Sequence, residues 1–293
     1  MKGLIFAATM LAASPLAAAL PPSVKSMVEA AARTGDKVKL DAVVSIAKDT
    51  NKGSEAEIDA IVAAISAEQA AAREARLADA GFLDNWSGAG ELGASLATGN
   101  SDTKTFAAGL LLEKDGLTIR HKVNAAADVQ KSNGITNQER YLAGYQLDWK
   151  FSGRAYAYGR LEYERNSQAG INRRFVESVG IGYTVIDSPS IKWDVEGGPA
   201  LRQTRFVDFS ESSFAVRAGS NFLWRLSDTT NFTNNTAVFI EGSSSLTNTT
   251  ALTAKLFGAL SARVAFNIAW EEEPPLGLEK VDTLTRFTLV YAF

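Results

Sequence analysis

The chain contains no cysteine, only one histidine and no surplus of basic residues. Without cysteine it can have no disulfide framework, no thiolate metal site and no thiol nucleophile. The single histidine, His121, leaves little room for zinc chemistry or for histidine-based catalysis. Lys and Arg number 30 against 33 Asp and Glu, and the resulting net charge of -3 argues against a nucleic-acid-binding protein.

Long apolar runs are also missing, because no stretch after the N-terminus approaches the roughly 18 consecutive apolar residues that a membrane helix needs. Residues 1–19 have the features of a secretory signal peptide: Lys2 gives a positive start, an apolar stretch follows, and Ala17-Ala18-Ala19 provides small residues for cleavage. We predict an exported mature chain that starts near Leu20; an N-terminal membrane anchor or a buried helix is the alternative. An exported chain without membrane helices is either soluble or a β-barrel.

A helical segment and linker are predicted over residues 20–85, which are rich in Ala, Glu, Lys and Ile. Apolar residues recur there at helical spacing in three groups: Val24, Met27, Val28 and Ala31; Val43, Val44, Ile46 and Ala47; and Ile58, Ile61, Val62 and Ile65. Ser54 and Glu57 match a capping box that begins the last helix. We expect a small periplasmic hairpin of helices packed on itself, and a partner-binding role is the alternative.

From Trp86 to Phe293 apolar and polar residues alternate with period two, which is typical of β-strands with two different faces. Twelve such segments start near residues 86, 103, 117, 137, 154, 172, 190, 211, 229, 248, 261 and 281. Alternation alone fits a soluble sandwich with its apolar faces inward as well as a membrane barrel with them outward.

Connection lengths favour the barrel. Tight turns are predicted at 114–116, 152–153, 187–189, 227–228 and Ser261-Ala262, and longer polar loops at 131–137, 167–173, 206–212, 241–248 and 272–280. Short turns at one end and longer loops at the other are typical of outer-membrane barrels.

Aromatic residues near both ends of the apolar faces favour the same interpretation, since two girdles are expected where rings meet lipid head groups. One set is Trp86, Trp149, Trp193, Trp224 and Phe293; the other is Phe106, Tyr141, Tyr163, Phe175, Phe214 and Trp270. The chain also ends on alternating apolar residues that resemble an outer-membrane assembly signal: Phe287, Leu289, Tyr291 and Phe293. We therefore predict an all-β fold over residues 86–293, a twelve-stranded antiparallel up-and-down transmembrane β-barrel with both termini periplasmic. A soluble exported β-protein is the alternative.

Charged residues of both signs are predicted to face the barrel interior. The candidates are Arg120, Arg140, Arg160, Glu162, Glu164, Asp194, Glu196, Arg202, Arg217, Arg225, Arg263 and Arg286. They would line a pore selective for ions or small polar solutes, or they would pair with one another and fill the interior. The near-even balance of signs leaves both interpretations open.

Two patterns suggest chemistry that their context does not support. Gly88 to Gly93 matches the dinucleotide fingerprint, but the motif needs a helix to begin within it and here the glycines lie in a predicted strand. His121 is predicted on the outward face, where an outer-membrane phospholipase carries a histidine with a serine two residues later; position 123 is Val. A lipid hydrolase with a serine from another strand stays an alternative. We predict no enzyme, and no catalytic, cofactor-binding or metal-binding residue.

The stretch Trp86–Thr105, with its Gly-rich strand and its Gly99-Asn100-Ser101-Asp102-Thr103 turn, resembles the opening of domain-of-unknown-function family 481. Members are often labelled salt-induced outer-membrane proteins of Gram-negative bacteria. The resemblance covers residues 86–293 and implies an outer-membrane barrel with a role in osmotic stress, but it brings no catalytic or ligand residues. The expected partners are outer-membrane lipid, the barrel assembly machinery and small ions or solutes, with no nucleic acid and no cofactor.

Overall fold

The computed structural model describes residues 19–78, 81, 83–97, 103–132, 135–167, 169–274 and 277–293. Only Ala19 of the predicted signal peptide belongs to these residues, so the signal peptide stays a prediction. The chain divides into two compact units, 1–73 and 74–293, and the division falls inside a helix. No helix among the described residues is both long enough and apolar enough to cross a bilayer.

Three helices form the N-terminal part, as the apolar spacing predicts: α1 Pro22–Arg33, α2 Lys37–Thr50 and α3 Glu55–Ala78. Their core is one buried cluster of Leu20, Val28, Ala47 and Ile58. At the start of α2 the Asp36 carboxylate accepts a hydrogen bond from the backbone N–H of Lys39 at 3.1 Å. This bond favours the ionised form and lowers the pKa of Asp36.

Not every residue of the three apolar groups reaches the core. Ile46 is 59% exposed and Met27 is also exposed, because they lie away from the side of their helices that meets the core. The Glu57 carboxylate accepts a hydrogen bond from the backbone N–H of Leu20 at 3.0 Å. The Ser54 N–H donates to the Asn51 carbonyl in the preceding turn, and the predicted capping box at Ser54 and Glu57 stays a prediction.

Twelve antiparallel strands close into a barrel, which confirms the predicted fold class. Each strand pairs with its neighbours in sequence, and β1 pairs with β12 through Ala89↔Ala292 to Leu92↔Leu289. The strands are β1 Trp86–Ala97, β2 Thr103–Asp115, β3 Ile119–Ser132, β4 Ile135–Lys150, β5 Ala155–Asn166, β6 Ile171–Asp187, β7 Ile191–Phe206, β8 Ser210–Arg225, β9 Thr230–Ile240, β10 Ser245–Phe257, β11 Leu260–Glu271 and β12 Val281–Ala292.

The two faces of the sheet differ in polarity: charged side chains point into the barrel and large apolar side chains point outward. Arg174 on β6 reaches Glu271 on β11, a strand that is not its neighbour, so these side chains meet inside the barrel. The alternate residues point outward, and there large apolar side chains such as Phe214, 85% exposed, form the outer wall. A charged interior and an apolar exterior are the reverse of a soluble sandwich, so the chain is a transmembrane β-barrel.

The predicted contrast between short turns and long loops was largely wrong. The segment 272–280 alone is a long connection; the others at the same end are 98–102, 133–134, 167–170, 207–209 and 241–244. Strands continue through polar residues because the ladder bonds come from the backbone. β6 has 17 residues where a crossing needs about 9–11, so its ends extend beyond the apolar layer.

The turn predicted at Ser261-Ala262 was also wrong, because Ser261 is paired with Lys255 inside the β10–β11 ladder. The chain reverses at Gly258 and Ala259. Gly258 has a φ of 57°, in the left-handed region that glycine adopts without steric cost. This backbone requirement identifies the true turn.

We expect Gly258→Ala to lower the free energy of unfolding by about 1–2 kcal/mol, because a Cβ disfavours this conformation. Urea unfolding followed by tryptophan fluorescence in vesicles measures it. The control is Gly153→Ala in a turn at the same end, where φ is not positive and the added Cβ meets no atom within 4 Å. An equal loss in both variants would contradict the assignment.

Candidate functional site

The barrel interior holds a group of charged and polar side chains that we call the central network. Its members are Arg120, Lys122, Gln146, Asp148, Tyr156, Arg160, Glu162, Glu196 and Arg217. They come from β3, β4, β5, β7 and β8, where alternate residues point inward.

Asp148 is the most buried carboxylate of this network, with an exposure of 0%. The guanidinium of Arg120 lies 2.7 Å from its Oδ2 and the Lys122 ammonium lies 3.1 Å from the same atom. A buried carboxylate is stable only when it is paired and hydrogen-bonded. Asp148 meets this condition with two cations from the neighbouring strand β3.

Glu196 is the second buried carboxylate. Its Oε1 accepts from Gln146 Nε2 at 2.8 Å and from the Tyr156 hydroxyl at 3.0 Å. Its Oε2 accepts from Arg217 Nη1 at 3.1 Å. The donors come from three strands, so Glu196 ties together β4, β5 and β8 from its own place on β7.

Gln146 connects the two carboxylates. Its amide nitrogen donates to Asp148 at 2.7 Å and to Glu196, and its amide oxygen accepts from Arg160 Nη1 at 2.9 Å. Arg160 in turn lies 2.7 Å from Glu162. The side chain is 1% exposed and uses both N–H groups and its oxygen, so the network is continuous across β4.

Two tyrosines fill the space beside these charges. Tyr156 and Tyr158 are buried on the inner face of β5, with the Arg120 guanidinium 5.0 Å from the Tyr156 ring centre. The Tyr156 ring lies directly over Gly182, where an added Cβ would come within 2.2 Å of the ring. A residue larger than glycine at 182 would displace the tyrosine.

A second group, which we call the β6–β11 network, includes Arg174 and Glu271, whose Nη1 and Oε1 atoms are 3.1 Å apart. Arg174 also lies 3.5 Å from Glu164, which lies 3.6 Å from Arg140. Arg202 pairs with Glu241 and approaches Glu271 at 3.9 Å, and the Ser213 hydroxyl also donates to Glu241. This network links β4 to β11 across the interior.

A third group, the seam network, lies where the first and last strands meet. Glu91 on β1 accepts from Arg263 at 2.9 Å and from Arg286 at 3.3 Å. Arg286 on β12 also pairs with Asp128 on β3. Gly109 lies opposite Glu91 and leaves room for its side chain, since a Cβ there would come within 2.5 Å of Glu91.

Two of the twelve predicted charges lie outside these networks. Asp194 accepts from the Thr184 hydroxyl at 2.6 Å. Arg225 is exposed and donates to the Pro189 carbonyl at a turn. The terminal residues Phe287, Leu289, Tyr291 and Phe293 lie on the outer wall and are 52% to 70% exposed. Their role as an assembly signal stays a prediction.

Sequence reasoning missed several members of the interior. Gln146 and Tyr156 are uncharged, and a search for inward charges passes over them. Arg174 follows another arginine, which hides the alternation, and Glu241 falls in a predicted loop. The alternation of each strand identifies Gln146 and Tyr156 as inward residues, because each is an even number of residues from a charged inward position on its own strand.

The inner wall of β9 and β10 is different over residues 231–237 and 247–253, and we call this part the neutral wall. Its inward side chains are small, mostly polar and uncharged: Asn231, Thr233, Asn235, Ala237, Thr247, Thr249, Ala251 and Thr253. Asn235 and Thr247 are exposed although they point inward. Water therefore reaches the interior along this side of the barrel.

His121 lies on the outer wall in an aromatic group. Its Nδ1 is 2.8 Å from the Tyr145 hydroxyl, and its ring centre is 6.3 Å from that of Trp86. Gly88 to Gly93 lie within β1, without the helix that a dinucleotide site needs. In the part of the chain that the structure describes, no three His, Asp or Glu side chains are grouped to hold a metal ion.

The closed barrel, its outer wall and its paired interior define a transmembrane β-barrel whose lumen is lined by charge networks and one neutral wall. The chain belongs to the family described as "Protein of unknown function, DUF481", whose model matches residues 90–293. It is 25% identical over 197 residues to "Uncharacterized protein YdiY" of Escherichia coli (strain K12). This alignment covers 67% of this chain and 78% of that protein.

Two solved barrels have a similar architecture. The translocator domain of the autotransporter NalP from Neisseria meningitidis matches with a TM-score of 0.42 and 11% identity, over 81% of this chain and 99% of that one. The COG4313 outer membrane channel from Pseudomonas putida F1 matches with a TM-score of 0.41 and 7% identity, over 73% of this chain and 100% of that one. At these values the match transfers no function to this chain.

We expect Glu196→Ala to lower the free energy of unfolding by about 3–5 kcal/mol, because it leaves Arg217 buried without its carboxylate. Urea unfolding in vesicles measures the change. Glu113→Ala is the control, since Glu113 is an exposed inward carboxylate of β2, and its effect should stay within about 0.5 kcal/mol. If Glu196→Ala does not fold, Glu196→Gln should fold with a smaller loss. Equal stability of the Glu196 variants and the wild type would show that the network does not hold the barrel.

Proposed function

We propose that this chain is an outer-membrane protein that forms a narrow pore for small ions and polar solutes along the neutral wall. The observation that carries the proposal is the exposure of Asn235 and Thr247 on the inner face of β9 and β10. Where the three charge networks lie, the interior is occupied by paired side chains, whereas the neutral wall is a side on which a solute has room.

The charge networks support a pore of weak selectivity. Asp148 and Glu196 are each paired with cations, and the seam network sets two carboxylates against two arginines. Paired charges largely cancel at the distance of a passing ion, and uncharged Asn and Thr replace part of its hydration shell without favouring one sign.

An outer-membrane location is supported by the apolar outer wall and by the closed sheet, which leaves no unpaired edge in the lipid. Twelve is an even number of strands, so the ends of β1 and β12 that lead to the termini lie on one side. We assign that side, and the N-terminal helices, to the periplasm. The salt-stress role that the family label implies belongs to the proposal, and we propose no catalytic activity.

Single-channel recording tests the pore. The purified folded protein in a planar bilayer should give reproducible steps that scale with salt concentration. Because the chain has no cysteine, single-cysteine variants react with thiol reagents without background. A cationic methanethiosulfonate should lower the conductance of Asn235→Cys and Thr247→Cys, because both side chains line the proposed path.

The matched control is Ser178→Cys, which replaces a buried inward residue of β6 away from the neutral wall. Its conductance should not respond to the reagent. A folded, heat-modifiable barrel that stays silent would overturn the pore and favour a structural role in the envelope. Block of Ser178→Cys without block of Asn235→Cys would place the path elsewhere.

A further inference from the structure

A carboxylate on the outer wall has no role in the interior networks. Glu177 alternates with Phe175 and Val179 on the outward face of β6, between the aromatic positions Phe175 and Tyr183. Among the described residues its side chain makes no ion pair and no hydrogen bond. An ionised group that faces hydrocarbon is unfavourable, and such groups are retained in proteins where they have a partner.

Beside Glu177 the outer wall has a groove of about 540 Å³. Its sides are apolar side chains of β4 to β8, which include Leu147, Leu161, Leu201 and Phe214. Its depth comes partly from Gly159, which has no side chain and around whose missing Cβ there is no atom within 4 Å. The volume falls in the range of sites for small molecules.

The floor of the groove is a break in the sheet. β6 and β7 pair at Ser178↔Ala200 and next at Ile181↔Gly197, with no paired residues between. Pro199 lies in this interval and has no N–H to donate. Proline is uncommon in the middle of a strand with neighbours on both sides. The groove therefore lies over a local interruption of the β6–β7 ladder.

We propose that this groove binds a membrane-dissolved amphipathic amine, with its hydrocarbon body in the groove and its ammonium group on Glu177. An unpaired carboxylate selects a cation, and the apolar sides select a hydrocarbon chain. The recessed shape and small volume suit a single amphiphile better than the surface of a second protein. The site lies on the outer wall and does not depend on conduction through the interior.

Native mass spectrometry of the intact folded barrel, released from a polyoxyethylene detergent, tests the proposal with dodecylamine as the probe. Dodecanol has the same chain without the charge, and dodecanoate has the opposite charge. We expect dodecylamine to bind about tenfold more tightly than dodecanol, the ratio that a charge-assisted hydrogen bond provides. Dodecanoate should bind more weakly than either.

Two variants test separately what the carboxylate and the groove contribute to binding. Glu177→Gln should abolish the preference for the amine while dodecanol binding remains. Gly159→Leu should fill the groove and abolish the binding of both probes, and the open space around Gly159 lets it fold. The control Glu139→Gln removes an outward carboxylate that Arg165 already pairs at 3.0 Å, so it should bind like the wild type.

Three outcomes would overturn the proposal. An amine preference that survives Glu177→Gln would exclude the carboxylate, and unchanged binding to Gly159→Leu would exclude the groove. A dimer mass that Gly159→Leu removes would identify a second copy of the chain as the occupant. Heat modifiability on gels shows that each variant is folded before its binding is compared.

Discussion

Every charge that a closed barrel buries away from water needs a counter-charge inside the same barrel. Asp148, Glu196 and Arg217 are nearly inaccessible to water, and burying any one of these charges without a partner is strongly unfavourable. The central network, the β6–β11 network and the seam network are three local solutions of this requirement. Each draws its members from several strands, so the positions of the strands and the pairing of the charges depend on each other.

The same requirement explains how the interior is divided. Charges and their bulky partners occupy β3 to β8 and the seam, while the neutral wall on β9 and β10 contributes small uncharged side chains. Buried ion pairs add little net stability over apolar packing, but they are strongly unfavourable to break. A barrel that places its paired charges on part of the wall keeps that part rigid and leaves the rest for solvent. The proposed pore follows from this separation rather than from the net charge of the lumen.

The fold was largely predictable from the sequence because alternation, aromatic positions and strand number all reflect the two solvents of a membrane barrel. The alternation predicts all twelve strands, and the twelve predicted charges lie at inward positions of their strands. The loops were less predictable, because a strand does not end where its side chains become polar: Ser210 and Glu211 still pair in β8. Which inward charges form ion pairs with each other was not predictable at all. That Arg286 meets Asp128 depends on the curvature that brings β12 near β3, and no local pattern carries that information.

The seam network has a consequence for biogenesis. Arg286 lies on the final strand, β12, and it pairs with Glu91 of the first strand and Asp128 of the third. A chain released before its final strand would keep two enclosed carboxylates short of a cation, in addition to an open edge. The charges at the seam therefore balance only when the final strand has been added.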